Sequence, residues 1–116
     1  MPAKDPMNTS TPISDHDVLA EATRRICANF QPRRIVLFGS RATGDARPDS
    51  DFDLVVVLDS PGDWRTPGRI QGLLRGLPLA FDVFVESTVE WNRWRVVRPT
   101  LEHMIDREGT VLLDAA

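Results

Sequence analysis

The apolar positions of the chain alternate between helical and strand spacing, and this alternation predicts the order of its elements. In SDHDVLAEATRRICANF, apolar residues recur every four positions from Val18 to Phe30, which predicts a helix with one buried stripe. Ser14 and Asp17 at its start are typical of a capped helix N-terminus. The runs RRIVLF, DFDLVVVL and LAFDVFVE are rich in β-branched and aromatic residues and predict three strands.

Turn-forming residues divide the second half of the chain into further elements. Thr66 is predicted to cap a helix over 67–74, because proline at position 67 suits the first helical residue. A helix is predicted over 88–98 and ends before Pro99, since proline disfavours helical conformation in the residue before it. The stretch TLEHMIDRE predicts another helix, and TVLLD predicts a last short strand.

The second predicted strand is the one expected at the centre of the sheet. Residues 54–58 are apolar at consecutive positions, which indicates that both faces of the strand are covered. The interspersed helices then predict an α/β (α+β) fold, a small mixed β-sheet flanked by helices. Residues 1–12 are predicted to be a disordered leader, because they hold three prolines and no apolar period, and residues 13–116 are predicted to be a single domain.

Composition narrows the range of functions. The chain of 116 residues has a formal net charge of −3, which argues against a protein that binds nucleic acid directly, since such proteins neutralise phosphates with a basic surface. Its single cysteine excludes an internal disulfide. No apolar run approaches membrane-spanning length, so no membrane association is expected. We therefore expect a cytoplasmic protein.

Two aspartates stand at the head of the central strand. Asp51 and Asp53 are two residues apart, so on a strand their side chains project from the same face. Asp82, near the start of the third strand, is positioned to bring a third carboxylate to that face. Carboxylates that close together repel one another unless a cation lies between them, and hard oxygen ligands suit Mg²⁺ or Mn²⁺. The pattern predicts a divalent metal site.

A glycine and a serine end the first strand. Gly39 allows the backbone to approach a ligand closely, and Ser40 is expected to cap a short helix whose free N–H groups point at an anion. Ten residues, 41–50, separate Ser40 from Asp51, enough to return the chain to the same edge of the sheet. We therefore expect a phosphate-binding turn beside the metal site.

The run GSRATGDARPDSDFDL, followed by FDVFV on a later strand, resembles the minimal nucleotidyltransferases of the DNA polymerase beta-like superfamily. Their pattern is Gly-Ser, a spacer, Asp-x-Asp and then a third acidic residue. The resemblance extends from Arg34 to the C-terminus and includes the closing LEHMIDREGTVLLD. It implies a polymerase beta-like nucleotidyltransferase fold, with ATP as the substrate and two Mg²⁺ ions as cofactors.

The resemblance also implies roles for the individual residues. Asp51 and Asp53 would bridge both metal ions, and Asp82 would hold only the one that activates the attacking hydroxyl. The residues expected to contact the nucleotide are Gly39, Ser40, Arg41, Arg47 and Ser50. Many relatives have arginine where this chain has Thr43, so one cationic contact is missing or is supplied by Arg47.

Small members of this type resemble one half of a two-gene system. The partner is an all-helical HEPN-type ribonuclease toxin, and the nucleotidyltransferase acts as the antitoxin by attaching AMP to a tyrosine of the toxin, so a hetero-oligomer is expected. The chain contains no tyrosine, which excludes modification of its own tyrosines. Two alternatives stay open: an antitoxin subunit that binds nucleotide or metal and acts by occlusion, and nucleotidyl transfer to a small molecule such as an aminoglycoside.

Overall fold

A computed structural model of the chain describes residues 14–115. The predicted leader lies outside the described residues, as do residues 13 and 116. Within the described part, helices and strands follow one another in the order α1 (Asp15–Asn29), β1 (Arg34–Phe38), α2 (Ser40–Thr43), β2 (Phe52–Leu58), α3 (Thr66–Leu73), β3 (Phe81–Ser87), α4 (Thr88–Trp94), α5 (Leu101–Glu108) and β4 (Thr110–Asp114).

The strands form one mixed sheet with the order β3-β2-β1-β4. β1 pairs antiparallel with β2 and with β4, whereas β2 and β3 run parallel. All residues of β2 are buried except Asp53, because helices cover both faces of this strand. The mixed sheet flanked by helices, with DFDLVVVL as an inner strand, confirms the prediction.

Two apolar layers hold the sheet and the helices together. α1 and α3 cover one face of the sheet through side chains such as Ala22, Ile26 and Ile70, which are fully buried. Trp91 of α4 and Ile105 of α5 cover the other face. Burying one such side chain contributes about 1.5–3 kcal/mol, so the apolar stripes of the helices fix their positions on the sheet. Across residues 14–115, no helix has both the length and the apolar character needed to cross a bilayer.

The start of α1 agrees with the sequence, and the start of α3 differs. The Ser14 side chain accepts a hydrogen bond of 3.1 Å from the Asp17 backbone N–H, which confirms the predicted cap of α1. α3 begins one residue earlier than predicted, with Thr66 buried inside the helix rather than capping it. The reason lies in Asp63, whose side chain and carbonyl accept the N–H groups of Arg65 and Thr66, so the turn closes before the predicted cap.

The helix predicted over 88–98 is shorter in the structure. α4 ends at Trp94, and the hydroxyl oxygen of Thr100 lies 2.7 Å from the carbonyl oxygens of both Trp94 and Val97, which share its single hydrogen. The same hydroxyl accepts the N–H of His103 and so caps α5. The chain therefore leaves α4 early because Thr100 closes the turn that leads into the next helix.

Candidate active site

The parallel pairing of β2 and β3 brings two of the predicted carboxylates side by side. Asp53 lies directly opposite Asp82 in the register, and laterally paired residues of a sheet project from the same face. On the other side, Asp53 pairs with Phe38, the last residue of β1. Asp51 precedes β2 by one residue. The two sequence motifs DFD and FD thus meet at one end of the sheet.

The carboxylates interact electrostatically. Asp53 is half-buried, and its pKa is raised first by burial and then by the negative charges of Asp82 and Asp51. Asp51 and Asp82 are exposed. A half-buried carboxylate that faces two like charges is costly to ionise unless a cation offsets them. The physical chemistry of this group therefore fits a divalent metal.

The donor set also fits a hard cation, since it consists only of carboxylate oxygens. Within residues 14–115, however, no three His, Cys, Asp or Glu side chains converge closely enough to hold an ion as they stand. Asp51 and Asp82 are exposed, so their side chains can change rotamer at little cost. The register fixes Asp53 beside Asp82, and Asp51 lies one residue before β2, so binding of an ion would draw the two exposed carboxylates toward Asp53.

The turn between β1 and α2 lies against the same carboxylate. Gly39 has φ 76° and ψ −157°, a conformation that is essentially restricted to glycine. A Cβ atom built at this position would lie 2.6 Å from Oδ2 of Asp53. Glycine is therefore required both by the backbone and by the close approach to Asp53. The structure places the predicted phosphate-binding turn next to the predicted metal ligands.

The short helix α2 is capped differently from the prediction. Ser40 is its first residue rather than its cap, and Gly39 takes the capping position. The Gly39 carbonyl accepts the N–H groups of Ala42 and Thr43 at 3.0 and 3.2 Å. The prediction of Ser40 as the cap was wrong because the unusual conformation of Gly39 already turns its carbonyl into the helix. Ser40 itself lies directly beside the turn, as expected.

Arg41 holds the loop that precedes Asp51. Its guanidinium donates to the carbonyls of Pro48 and Ser50 at 3.0–3.2 Å and lies 4.4 Å from the centre of the Phe52 ring. These contacts fix the chain just before Asp51, which is a structural task that the sequence did not reveal. The predicted contact of Arg41 with a phosphate stays a prediction.

Arg47 and Ser50 close a turn in the same loop. The Ser50 hydroxyl accepts the N–H of Arg47, and the Ser50 N–H donates to the Arg47 carbonyl, both at 3.0 Å. The Arg47 side chain is exposed at this turn. Thr43 donates to the carboxylate of Asp45 at 3.1 Å. The turn delivers Asp51 to the sheet edge, and nucleotide contacts by Arg47 and Ser50 stay predictions.

Two phenylalanines beside the carboxylates were missed by the sequence analysis. The rings of Phe38 and Phe84 lie 5.5 Å apart, and Phe84 is 45% exposed although it belongs to a strand. Phe84 follows Asp82 by two residues, so the alternation within FDVFVE places both on one face. The same alternation could have identified Phe84 as part of the site.

A second acidic pair lies further along the same face. The pKa of Glu86 is raised to about 7 by burial, by a hydrogen bond with Glu102 and by the charges of Glu102 and Glu90. One carboxylate oxygen of Glu86 is fully buried and has no partner within the described residues. The pair of Glu86 and Glu102 joins β3 to α5. In the sequence, the two-residue spacing between Phe84 and Glu86 is what indicates that Glu86 lies on the same face.

A cleft extends from the glycine turn along α5. It has a volume of about 350 Å³ and is lined by Gly39 and Ser40 on one side and by Met104 and Glu108 on the other. Most of its lining surface is apolar, and the side chains of Asp45 and Glu108 also line it. The turn, the carboxylates and this cleft together form a site in which a phosphorylated ligand has both polar and apolar surfaces to contact.

The sequence was compared with known protein families. A family described as "Nucleotidyltransferase domain" matches residues 19–107, which include all the predicted site residues. No curated protein matches the sequence at a significant level.

Solved structures with the same fold were also found. A mutant of the toxin–antitoxin complex MntA–HpeT has a chain 18% identical to this one, with a TM-score of 0.62 over 83% of this chain and 73% of that one. A toxin–antitoxin structure with AMP-PNP is 21% identical, with a TM-score of 0.60 over 82% and 73% of the two chains. A candidate nucleotidyltransferase from Sulfolobus solfataricus is 20% identical, with a TM-score of 0.57 over 84% and 78%. At these identities the similarity establishes the fold.

Proposed function

The chain belongs to the nucleotidyltransferase domain family, and from this premise we propose that it transfers the AMP moiety of ATP to a hydroxyl group of a partner protein in the cytoplasm. The observation that carries the proposal is the contact between the Gly39 turn and the Asp53 carboxylate. A turn of this kind suits phosphate oxygens, and the carboxylates suit the cations that accompany them. Both are needed at one place for phosphoryl chemistry.

In this proposal, Asp51 and Asp53 would help to hold both of two Mg²⁺ ions, and Asp82 would help to hold one of them. Mn²⁺ is the expected substitute. When bound, the ions would lower the pKa of the acceptor hydroxyl and offset the charge of the triphosphate. The raised pKa of Asp53 supports this assignment, since a cation removes the repulsion from Asp51 and Asp82 that raises it.

In this proposal, residues other than the three carboxylates would hold the nucleotide. Gly39 and Ser40 would contact the β- and γ-phosphates through the backbone of the turn. The cleft along α5 offers apolar surface to the nucleoside. Arg47, exposed in the neighbouring loop, is the candidate for the cationic contact that relatives obtain from an arginine at the position of Thr43.

The transfer step is a displacement at phosphorus. The acceptor oxygen forms a bond to the α-phosphorus, the bond to the oxygen that bridges the α- and β-phosphates breaks, and pyrophosphate leaves. Asp82 is the candidate base that accepts the hydroxyl proton, because it is exposed at the edge of the sheet where a second molecule can approach. The exposed ring of Phe84 beside it offers that molecule an apolar contact.

We further propose that the acceptor is a HEPN-type toxin with which this chain forms a hetero-oligomer. Two of the structures with the same fold come from toxin–antitoxin systems, and one of them contains AMP-PNP, an analogue of ATP. The acceptor would be a tyrosine of the partner, and this chain has no tyrosine of its own to compete with it.

The test is transfer of label from ATP labelled at the α-phosphate, with Mg²⁺, to the product of the adjacent gene and to proteins of a cell lysate. We compare the wild-type chain with Asp53→Asn, which removes one charge at nearly constant volume. Asp49→Asn is the matched control, because Asp49 is exposed in the loop before the site. We expect label on one small protein with the wild type and the control, and none with Asp53→Asn.

Other outcomes would separate the alternatives. Binding to the neighbouring protein without label from any of the four nucleoside triphosphates would refute transfer and support an antitoxin that acts by occlusion. The aspartate variant would then still silence the toxin. Label on a small molecule such as an aminoglycoside, with none on protein, would refute the protein acceptor but retain the reaction class.

A further inference from the structure

The side chain of Gln71 lies outside the predicted site and pairs with the outer edge of β3, the strand that carries Asp82. Among residues 14–115, β3 is an edge strand, with β2 on one side only. An edge strand presents a row of backbone N–H and C=O groups that lack a strand partner. At Asp82 this row is occupied by the amide group of Gln71 from α3, which accepts the Val83 N–H at 3.2 Å and donates to the Phe81 carbonyl.

The amide of Gln71 thus takes the place of a fifth strand over a short distance. The Ala80 carbonyl accepts the N–H of Phe52, so it points toward β2. Backbone groups alternate in direction along a strand, and the Phe81 carbonyl and Val83 N–H therefore point away from β2. Gln71 therefore hydrogen-bonds to the Phe81 carbonyl and to the Val83 N–H, which lie on either side of Asp82 in the sequence.

The helix that carries Gln71 is itself anchored. Ile70, next to Gln71, is fully buried under the sheet. At the end of α3, the guanidinium of Arg25 donates to the carbonyls of Leu73 and Arg75 at 3.0 and 3.1 Å, and Glu21 accepts from Arg25 at 2.8 Å. The position of the Gln71 amide is therefore fixed by α1 and by the core rather than by solvent-exposed chain.

We propose that Gln71 is a positioning residue that holds the backbone of Asp82 in register with Asp53. Asp82 is exposed, so burial of its own side chain does little to fix its position. The backbone around it is held by β2 on one side and by Gln71 on the other. Without the second contact this end of the edge strand opens more often, and the Asp82 carboxylate spends less time opposite Asp53. The role of Asp82 as a metal ligand, on which this inference rests, belongs to the proposed function.

The decisive variant is Gln71→Met, which keeps the length and helix propensity of the side chain but removes both hydrogen bonds. Arg69→Met is the matched control, since Arg69 is an exposed residue of the same helix. Gln71→Asn is a second variant, because its amide is one methylene too short to reach both backbone groups. Circular dichroism confirms that each variant is folded.

Two measurements on the protein without nucleotide test the proposal. Hydrogen exchange at the Val83 N–H reports the edge strand directly, and titration with Mn²⁺ reports the carboxylates. We expect Gln71→Met and Gln71→Asn to exchange the Val83 N–H at least about tenfold faster and to bind Mn²⁺ about tenfold more weakly, the lower end of the range for residues that orient metal ligands. Arg69→Met is expected to match the wild type in both.

The outcomes distinguish this inference from the proposed function. Equal Mn²⁺ affinities for Gln71→Met and Arg69→Met would overturn it, and so would a wild-type chain that binds no Mn²⁺. If the variants lose Mn²⁺ affinity while the wild type transfers no label, the positioning role stands and the proposed transfer falls. Where transfer occurs, the loss is expected in kcat, with the KM for ATP little changed, since Asp82 faces the acceptor rather than the triphosphate.

Discussion

A comparison of Gly39→Ala with Gly44→Ala separates two effects of an added Cβ atom. One is the collision with Asp53, and the other is the backbone cost of a positive φ. Gly39 and Gly44 flank α2, and both have positive φ, 76° and 85°. A Cβ at Gly39 would lie 2.6 Å from Oδ2 of Asp53, whereas a Cβ at Gly44 would meet nothing within 4 Å. Gly44→Ala is therefore a control that has the backbone strain without the collision.

The expected magnitudes follow from these two differences. The left-handed conformation costs an alanine about 1 kcal/mol at Gly44. The conformation of Gly39 costs about 2–3 kcal/mol, since its ψ of −157° lies in a region that is essentially restricted to glycine. The collision involves the end of a side chain, so it is relieved when the Asp53 carboxylate turns away. The loss then falls on metal binding, with Mn²⁺ affinity on the order of tenfold weaker in Gly39→Ala.

Urea unfolding followed by tryptophan fluorescence measures the stability of both variants, and Trp91 is a buried probe. Mn²⁺ titration measures the site. We expect the loss of stability to be larger for Gly39→Ala and the loss of Mn²⁺ affinity to be confined to it. If the two variants bind Mn²⁺ equally well, the Gly39 turn does not abut the metal site and the argument for the site fails.

Three further substitutions test the electrostatics and the loop. Without divalent cations, Asp53→Asn is expected to raise the thermal midpoint. The pKa of Asp53 is raised in the folded state, so ionised Asp53 costs stability as the pH rises through that pKa. Mg²⁺ should then stabilise the wild type more than the variant, and a lower midpoint for the variant would contradict the assignment. The raised pKa of Glu86, about 7, contributes stability that is fully present below its ordinary value of 4.5 and is lost as the pH rises to about 7. Glu86→Gln should therefore leave stability unchanged near pH 4 and raise it by about 1 kcal/mol at pH 8, a figure reduced for solvent screening of this partly exposed group; equal pH profiles in urea unfolding would refute it. Arg41→Lys removes the forked contacts to the loop carbonyls and should destabilise the protein by about 1 kcal/mol in urea unfolding, with faster hydrogen exchange at the Phe52 N–H, and unchanged stability would show that the loop does not depend on Arg41.

The parts of the fold that the sequence could predict are those set by local spacing. The four-residue spacing of Val18, Ala22 and Ile26 predicted α1, and all three are buried in the structure. The consecutive apolar residues of 54–58 predicted an inner strand. The two-residue spacing of Asp51 and Asp53 predicts a shared face, but Asp51 lies one residue before β2, so the shared face stays a prediction.

Contacts that depend on how elements dock were beyond the sequence. Gln71 reaches the backbone beside Asp82 because of where α3 docks along β3, which no local pattern specifies. The direction of the Arg41 guanidinium depends on the path of a loop with no repeating pattern. Thr66 reads as a cap from its neighbour Pro67, yet Asp63 closes the turn first. Short-range patterns identified the acidic residues of the candidate site but not the residues that orient them.

The candidate site is divided unequally between two stretches of chain. The β1–β2 hairpin holds most of the candidate site, namely Gly39, Ser40, Asp51 and Asp53. Asp82 lies on the edge strand β3, which is far from the hairpin in the sequence. Because Asp82 is exposed, its substitution sacrifices almost no folding free energy and leaves the hairpin intact. Under the proposed function, substitution of Asp82 alone would remove catalysis and leave the Gly39 turn, Asp51 and Asp53 in place for binding. Selection can thus exchange catalysis for sequestration in such a lineage without passing through an unfolded intermediate.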